Sequence, residues 1–185
     1  MMTEISLNIL DVVQNSIGAK ASRIVVDIQV DHTTDLLQII ISDNGCGMTS
    51  KQLAQVDDPF YTTRTTRTVG LGVPFFKYGA EATGGTFTIQ SEVGKGTQVT
   101  AVFVLSHIDR MPLGDITSTM HTLITCNENI EFYYSYKVDD RCFSLDTKEL
   151  REIVGDLSFQ EPEISSYIKE YLQENKKEVD QGQYI

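Results

Sequence analysis

Six residues, Asp43-Asn44-Gly45-Cys46-Gly47-Met48, place a carboxylate beside two glycines in a spacing that suits ligand binding. Asp43 offers an acceptor for an amino group such as the one on adenine. Gly45 and Gly47 let the backbone take positive φ and let a ligand come close. A DxGxG hexapeptide on its own also fits an acidic turn after a strand, so its meaning depends on what else the chain carries.

Upstream, Asn8, Asp11 and Asn15 recur at i, i+3 and i+7 in residues 5–17, whose apolar side is Ile5, Ile9, Val12 and Val13. They share one stripe of an amphipathic helix. Asn and Asp are weak helix formers. A merely solvated face, the alternative, would ordinarily carry Lys and Glu. An Asn side-chain carbonyl is a hard oxygen ligand suited to Mg²⁺. Asp11, one turn earlier, can orient or deprotonate an attacking hydroxyl or water. Downstream, residues 62–68 are almost entirely Thr and Arg, and hydroxyl and guanidinium groups are phosphate-binding chemistry. Arg64 and Arg67 are the candidate phosphate contacts. Gly70-Leu71-Gly72-Val73 follows directly, ahead of a helix expected over 73–83. Glycine amides that open a helix make an anion site, and the plain alternative is a flexible polar loop.

The elements that must hold these groups are legible from pattern. Residues 36–42 read as a buried strand that delivers Asp43 to its turn. Residues 23–30 alternate as a partner strand, with residues 31–35 as a polar hairpin turn. Thr3 is the expected N-cap of the first helix, and residues 18–21 break it. Residues 51–56 read as a short helix capped by Thr49 or Ser50. Gly84-Gly85 closes the 73–83 helix. Residues 86–92 and 97–104 alternate as a second hairpin turning at 93–96.

Composition narrows the classes. The 185 residues suffice for one domain, or a domain with a substantial extension. The 41% apolar and 22% charged content is that of a globular protein. No apolar stretch approaches the ~20 residues of a membrane span, and the N-terminus lacks a signal-peptide pattern. A cytoplasmic location away from membranes is expected. The formal net charge of −11 argues against a nucleic-acid surface. Cys46, Cys126 and Cys142 form no CxxC pair, so neither a zinc site nor a disulfide framework is indicated. His32, His107 and His121 are isolated.

Taken together, the motifs resemble those of the GHKL ATPases: DNA gyrase B subunits, heat-shock chaperones of the ninety-kilodalton class, histidine kinases and mismatch-repair ATPases. Residues 8–19 resemble the N box, and residues 43–48 the first glycine box. Residues 58–63 resemble the Phe box of histidine kinases, and residues 70–73 the second glycine box. Gly94-Lys95-Gly96-Thr97 resembles the final Gly-Thr element. The resemblance covers residues 4–105 and implies an α+β fold: a two-layer sandwich of the Bergerat ATP-binding type, its mixed sheet covered by helices on one face. It implies ATP and Mg²⁺ as cofactors, with Asn15 on the metal. Asp43 would accept from the adenine amino group, helped through water by Thr97. Nucleotide contacts would come from Asn8, Ala19, Gly45, Gly47, Met48, Phe60, Thr62, Thr63, Gly70, Leu71, Gly72 and Val73, and residues 62–69 would form a short lid.

Histidine kinases are the nearest subgroup by wording, with departures. No helical hairpin bearing a phospho-accepting histidine precedes the N box, so a stand-alone arrangement is expected. His121 lacks that hairpin's sequence and is not expected to be a phospho-acceptor. Asn15-Ser16-Ile17-Gly18-Ala19 is closer to the mismatch-repair wording. Asp11 stands where hydrolytic members and the anti-sigma serine kinases have a longer Glu general base.

Beyond residue 105 the resemblance ends, and residues 106–185 are expected to form an α+β appendage packed on the ATP-binding domain (1–105). Asp115 is an expected N-cap for a helix to Cys126. Residues 130–138 and 141–145 read as a hairpin, with Phe132, Tyr133, Tyr134 and Tyr136 expected in the core rather than at an exposed recognition edge. Residues 147–154 and 162–177 read as helices. The second carries an apolar stripe (Ile164, Tyr167, Ile168, Tyr171, Leu172) for docking on this protein or a partner. Residues 180–185 are expected to fray. The functional expectation is a kinase or ATPase in signalling that moves the γ-phosphoryl of ATP to a partner protein or to water, with a homodimer as a possible assembly. The alternative is an ATP-gated binding switch without turnover.

Overall fold

The computed structural model describes residues 4–56 and 72–185. β1 (Arg23–Asp31) and β2 (Leu36–Asp43) form the first hairpin. Asp31 Oδ1 accepts from the Thr33 and Thr34 amides at 2.8 and 3.1 Å, and Asp35 at φ +58° completes the turn. β3 (Thr86–Glu92) and β4 (Gly96–Val104) form the second hairpin, and β4 pairs antiparallel with β2. β5 (Glu131–Val138) lies parallel to β1, and β6 (Arg141–Asp146) runs antiparallel to β5. The result is one mixed six-stranded sheet in the order β3-β4-β2-β1-β5-β6.

Strand alternation gives this sheet one buried face. Ile24, Val26 and Ile28 of β1, Leu37, Ile39 and Ile41 of β2, and Ala101 and Phe103 of β4 all lie in the core, as do Phe132, Tyr134 and Tyr136 of β5. The helices α1 (Ile5–Gly18), α3 (Gly72–Ala82), α4 (Ile116–Cys126) and α6 (Pro162–Asp180) contribute to the same cluster. In α3, Phe76 meets Phe87 and Phe103 with ring centroids 5.8 and 6.0 Å apart. The short α2 (Ser50–Leu53) starts with a capping box between Thr49 and Gln52. α5 (Thr147–Val154) is capped by Asp146, which accepts from the Lys148 amide at 2.9 Å. Asp115 caps α4 by accepting from the Ser118 amide at 2.9 Å.

Several expectations change. The cap position of α1 is Glu4, which makes no side-chain cap bond, and Thr3 lies outside the described residues. Residues 106–185 do more than pack against the sheet: β5 and β6 continue it, because β5 pairs with β1 along eight consecutive positions from Arg23↔Glu131 to Val30↔Val138. The chain end is anchored at Asp180 and Ile185, whereas residues 181–184 between them are exposed. α6 runs to Asp180, which is 1% exposed and bonded to Lys176 Nζ at 2.5 Å and to the Tyr136 hydroxyl at 3.3 Å. Ile185 is buried, and its carbonyl accepts from the Leu113 amide at 2.8 Å. Local composition reads this segment as polar; long-range contacts hold it. Among the described residues, no helix is long and apolar enough to cross a membrane.

Candidate functional site

β2 ends at Asp43, and the local hydrogen bonds hold its carboxylate in place. Oδ1 accepts from the Gly45 amide at 2.8 Å, and Oδ2 accepts from the Ser16 hydroxyl at 2.6 Å. Ser16 lies on the buried side of α1, so helix and strand meet at this carboxylate. Each oxygen keeps a lone pair for a ligand. The turn is fixed at both ends. Asn44 Oδ1 accepts from the Ser22 and Arg23 amides, both at 2.9 Å. The Cys46 amide donates to the Ala19 carbonyl at 2.9 Å, and the Gly94 amide to the Cys46 carbonyl at 2.8 Å. A β-carbon on Gly45 would lie 2.8 Å from the Ala19 carbonyl oxygen. Gly47 sits at φ +66°, where a β-carbon would fall 2.0 Å from the Glu92 carbonyl oxygen. The first glycine box thus packs on the end of α1 and on the β3–β4 turn.

Thr97 is the cross-strand partner of Asp43, and Ser91 is the partner of Thr97. These three residues form one row across β3, β4 and β2, on the face that bears the helices. The Ser91 hydroxyl accepts from the Met48 amide at 2.8 Å and lies 2.9 Å from the Thr97 hydroxyl.

The polar stripe of α1 runs from interior to solvent. Asn8 is fully buried. With its amide oriented to match donors to acceptors, it donates to the Glu4 carbonyl at 3.2 Å and accepts from the Phe76 amide at 3.1 Å. That places the Asn8 side chain, expected among the nucleotide contacts, between α1 and α3. Asp11 is half-buried and Asn15 exposed. Asp11 abuts the start of α3: a β-carbon on Gly72 would meet Asp11 Oδ2 at 2.9 Å. Val73, expected beside the phosphates, is a core residue at 8% exposure. Phe60, Thr62, Thr63, Arg64, Arg67, Gly70 and Leu71 lie outside the described residues.

Among the described residues, no cluster of three His, Cys, Asp or Glu side chains is arranged to hold a metal by itself. Asn15 is exposed on α1 and carries an amide oxygen, a donor type that suits Mg²⁺ alongside substrate phosphates and water. A surface cavity of about 260 Å³ lies elsewhere, between the start of α4 and the end of α6, lined by Asp115, Thr117, Lys176 and Lys177 among others. It contains none of the motif residues.

Sequence reading missed Ser16, Asn44 and Ser91 as site-building groups. Ser16 carried a signal, a hydroxyl on an otherwise apolar helix side. Ser91 carried none, because its partners become neighbours only through strand register.

The sequence profile described as "Histidine kinase-, DNA gyrase B-, and HSP90-like ATPase" matches residues 2–107. The sensor protein kinase FleS of Pseudomonas aeruginosa is 36% identical over 108 residues, which is 58% of this chain and 26% of that protein. Sporulation kinase C of Bacillus subtilis is 33% identical over 96 residues, 52% of this chain and 22% of that protein. The chain therefore spans about a quarter of these curated relatives. Among solved structures, the Aquifex aeolicus MutL ATPase domain complexed with ADP superposes with a TM-score of 0.50 at 13% identity, covering 83% of this chain and 70% of that one. The N-terminal domain of a DNA repair protein gives a TM-score of 0.53 at 16% identity, covering 78% and 52%. These two likenesses establish the fold.

Proposed function

Because the chain belongs to the histidine kinase-, DNA gyrase B- and HSP90-like ATPases, we propose that it binds Mg·ATP and moves the γ-phosphoryl group to a partner protein or to water in signalling. The observation that carries this reading is the Asp43 carboxylate, held by Ser16 and Gly45 and paired in register with Thr97. Two acceptor-capable groups side by side suit an exocyclic amino group. A bound Mg²⁺ would supply charge neutralisation at the phosphates, and Asn15 would hold it through its side-chain oxygen. Asp11, against Gly72 at the start of α3, orients the attacking hydroxyl or takes its proton. Catalysis of this kind is mostly positioning and electrostatics. Arg64, Arg67, Thr62 and Thr63 are assigned to the phosphates, and Gly70 and Leu71 to the same end of the site. Residues 1–105 are the ATP-binding part, and residues 106–185 the α+β appendage that shares its sheet. The protein works in the cytoplasm.

A second reading, an ATP-gated switch, is favoured by one hydrogen-bonded path. Asn44 in the first glycine box binds the Ser22 and Arg23 amides. The Arg23 guanidinium binds Glu131 at 3.0 Å and Asp146, the cap of α5, at 3.1 Å. A rearrangement at the glycine box therefore has a direct mechanical route to β5, β6 and α5.

One experiment separates the readings. The γ-phosphate label of ATP is followed with Mg²⁺, the purified chain and lysate of its host, beside Asn15→Ala and Asp11→Asn. Transfer to a protein or release as phosphate is expected, lost in Asn15→Ala. In Asp11→Asn, turnover falls while ATP binding stays nearly intact. Label that remains on ATP, with partner binding that differs between ATP and ADP, leaves the switch as the function.

A further inference from the structure

We infer that Ser91 is a positioning residue for base recognition, acting through Thr97; this rests on the nucleotide-site reading above. Ser91 lies on β3, outside every motif assigned to the site. Its hydroxyl has three polar neighbours: the Met48 amide at 2.8 Å, the Gly96 carbonyl at 3.0 Å and the Thr97 hydroxyl at 2.9 Å.

Proton counting fixes the direction of these bonds. A serine hydroxyl has one proton and two lone pairs. The Met48 amide can only donate, so it takes one lone pair. The Gly96 carbonyl can only accept, so it takes the one proton. A single lone pair remains for Thr97, whose hydroxyl must then donate to Ser91. All three contacts are satisfied at once only in this arrangement. Thr97 Oγ1 is left with lone pairs alone, and it presents an acceptor beside Asp43, its cross-strand partner. Asp43 is itself held as an acceptor by Ser16 and Gly45. The row Ser91, Thr97, Asp43 therefore offers two acceptors to whatever occupies it. An amino group matches both. A 6-oxo purine places a carbonyl oxygen there and is repelled. Without Ser91, the Thr97 hydroxyl can rotate and donate to that carbonyl.

The test compares binding of ATP and ITP, whose bases differ at the 6-position and in the proton that hypoxanthine carries on N1, to the full chain and its variants by calorimetry. Wild type is expected to prefer ATP. In Ser91→Ala the ATP/ITP preference falls about tenfold, the size of one hydrogen bond gained by the wrong base. Ser91→Thr, which keeps the hydroxyl, restores the preference. In a Thr97→Val background, Ser91→Ala leaves the ratio unchanged, because the group through which Ser91 acts is gone. Equal weakening of both nucleotides in Ser91→Ala, or no change in either, would overturn the inference, since a fold defect lowers both affinities together. Persistence of the ratio change in Thr97→Val would overturn it as well. A wild-type chain that binds neither nucleotide overturns the nucleotide reading itself. A wild type that binds ATP with a preference indifferent to Ser91 removes only this inference.

Discussion

Glycines at this site serve packing as much as flexibility, and two neighbours in one turn make the distinction measurable. Gly96 sits at φ +115°, and a β-carbon there would lie 1.9 Å from the Asp43 carbonyl oxygen and 2.9 Å from Asn44 Cα. Backbone cannot yield as a flexible side chain can. Gly96→Ala is therefore expected to cost about 2–4 kcal/mol, combining a steric clash with left-handed strain. Gly94, at φ +78°, has nothing within 4 Å of its β-carbon position. Gly94→Asn is expected to cost only about 1 kcal/mol or less, because Asn tolerates positive φ. Urea unfolding midpoints of the two variants check both values. A Gly96→Ala protein as stable as Gly94→Asn would mean that β4 does not approach the Asp43 backbone this closely.

At the scale of elements, α6 settles a question its sequence leaves open. Its apolar stripe suits either this protein or a partner. Ile168 and Leu172 are 0% and 1% exposed in the shared core, whereas Tyr167 is 55% exposed. The Tyr171 ring meets Phe143 of β6 edge-on at 6.4 Å. His121 of α4 contacts the Ser165 hydroxyl and carbonyl at 2.9 and 3.0 Å, which ties α4 to α6 and gives that histidine a structural place. Leu172→Ala is expected to destabilise the fold by about 2–5 kcal/mol, and Tyr167→Ala by about 0.5 kcal/mol or less. Thermal or denaturant unfolding reads the difference. Similar, small effects from both would return the stripe to a partner.

For the whole molecule, ionisation bounds the range of stability at both ends. Backbone amides of Thr34 and His32 hold the Asp31 and Asp139 carboxyls below the ordinary 3.8. Hydrogen bonds from Ser118 do the same for Asp115, and from Ser158 for Glu128, whose ordinary value is 4.5. A depressed folded value means stability that is present above the unfolded value and lost as pH falls through the folded one. Burial pushes the Tyr134 and Tyr136 phenols above 10.0, with Asp180 adding to the effect in both. Among the described residues the Tyr134 hydroxyl has no hydrogen-bond partner, so its charged form is especially disfavoured. A raised folded value means stability present below pH 10 and lost as pH rises beyond it. Melting temperatures are therefore expected to hold between about pH 5 and 9, and to fall below about pH 4.5 and above about pH 10. A melting temperature that is flat from pH 9 to 11 would remove the buried tyrosines from this account.

Strands, helices and the order of the motifs were legible in the amino-acid pattern. Alternation, helical spacing and turn chemistry are local properties, and residues such as Asp31, Thr49, Asp115 and Asp146 carry them within a few positions. The carboxylate-and-glycine turn at Asp43, the Asn8–Asp11–Asn15 stripe and the family were legible for the same reason. Which of these groups meet follows from the three-dimensional fold. It buried Asn8 between α1 and α3 and brought Ser16 to Asp43 across 27 positions. It aligned Ser91, Thr97 and Asp43 in one row, joined β5 to the sheet beside β1, and closed Ile185 onto Leu113. Each of these depends on register or on contacts between distant segments, and a one-residue slip in pairing would point Ser91 and Thr97 away from the helices. The local pattern permits many such pairings, and burial of a single continuous core selects among them.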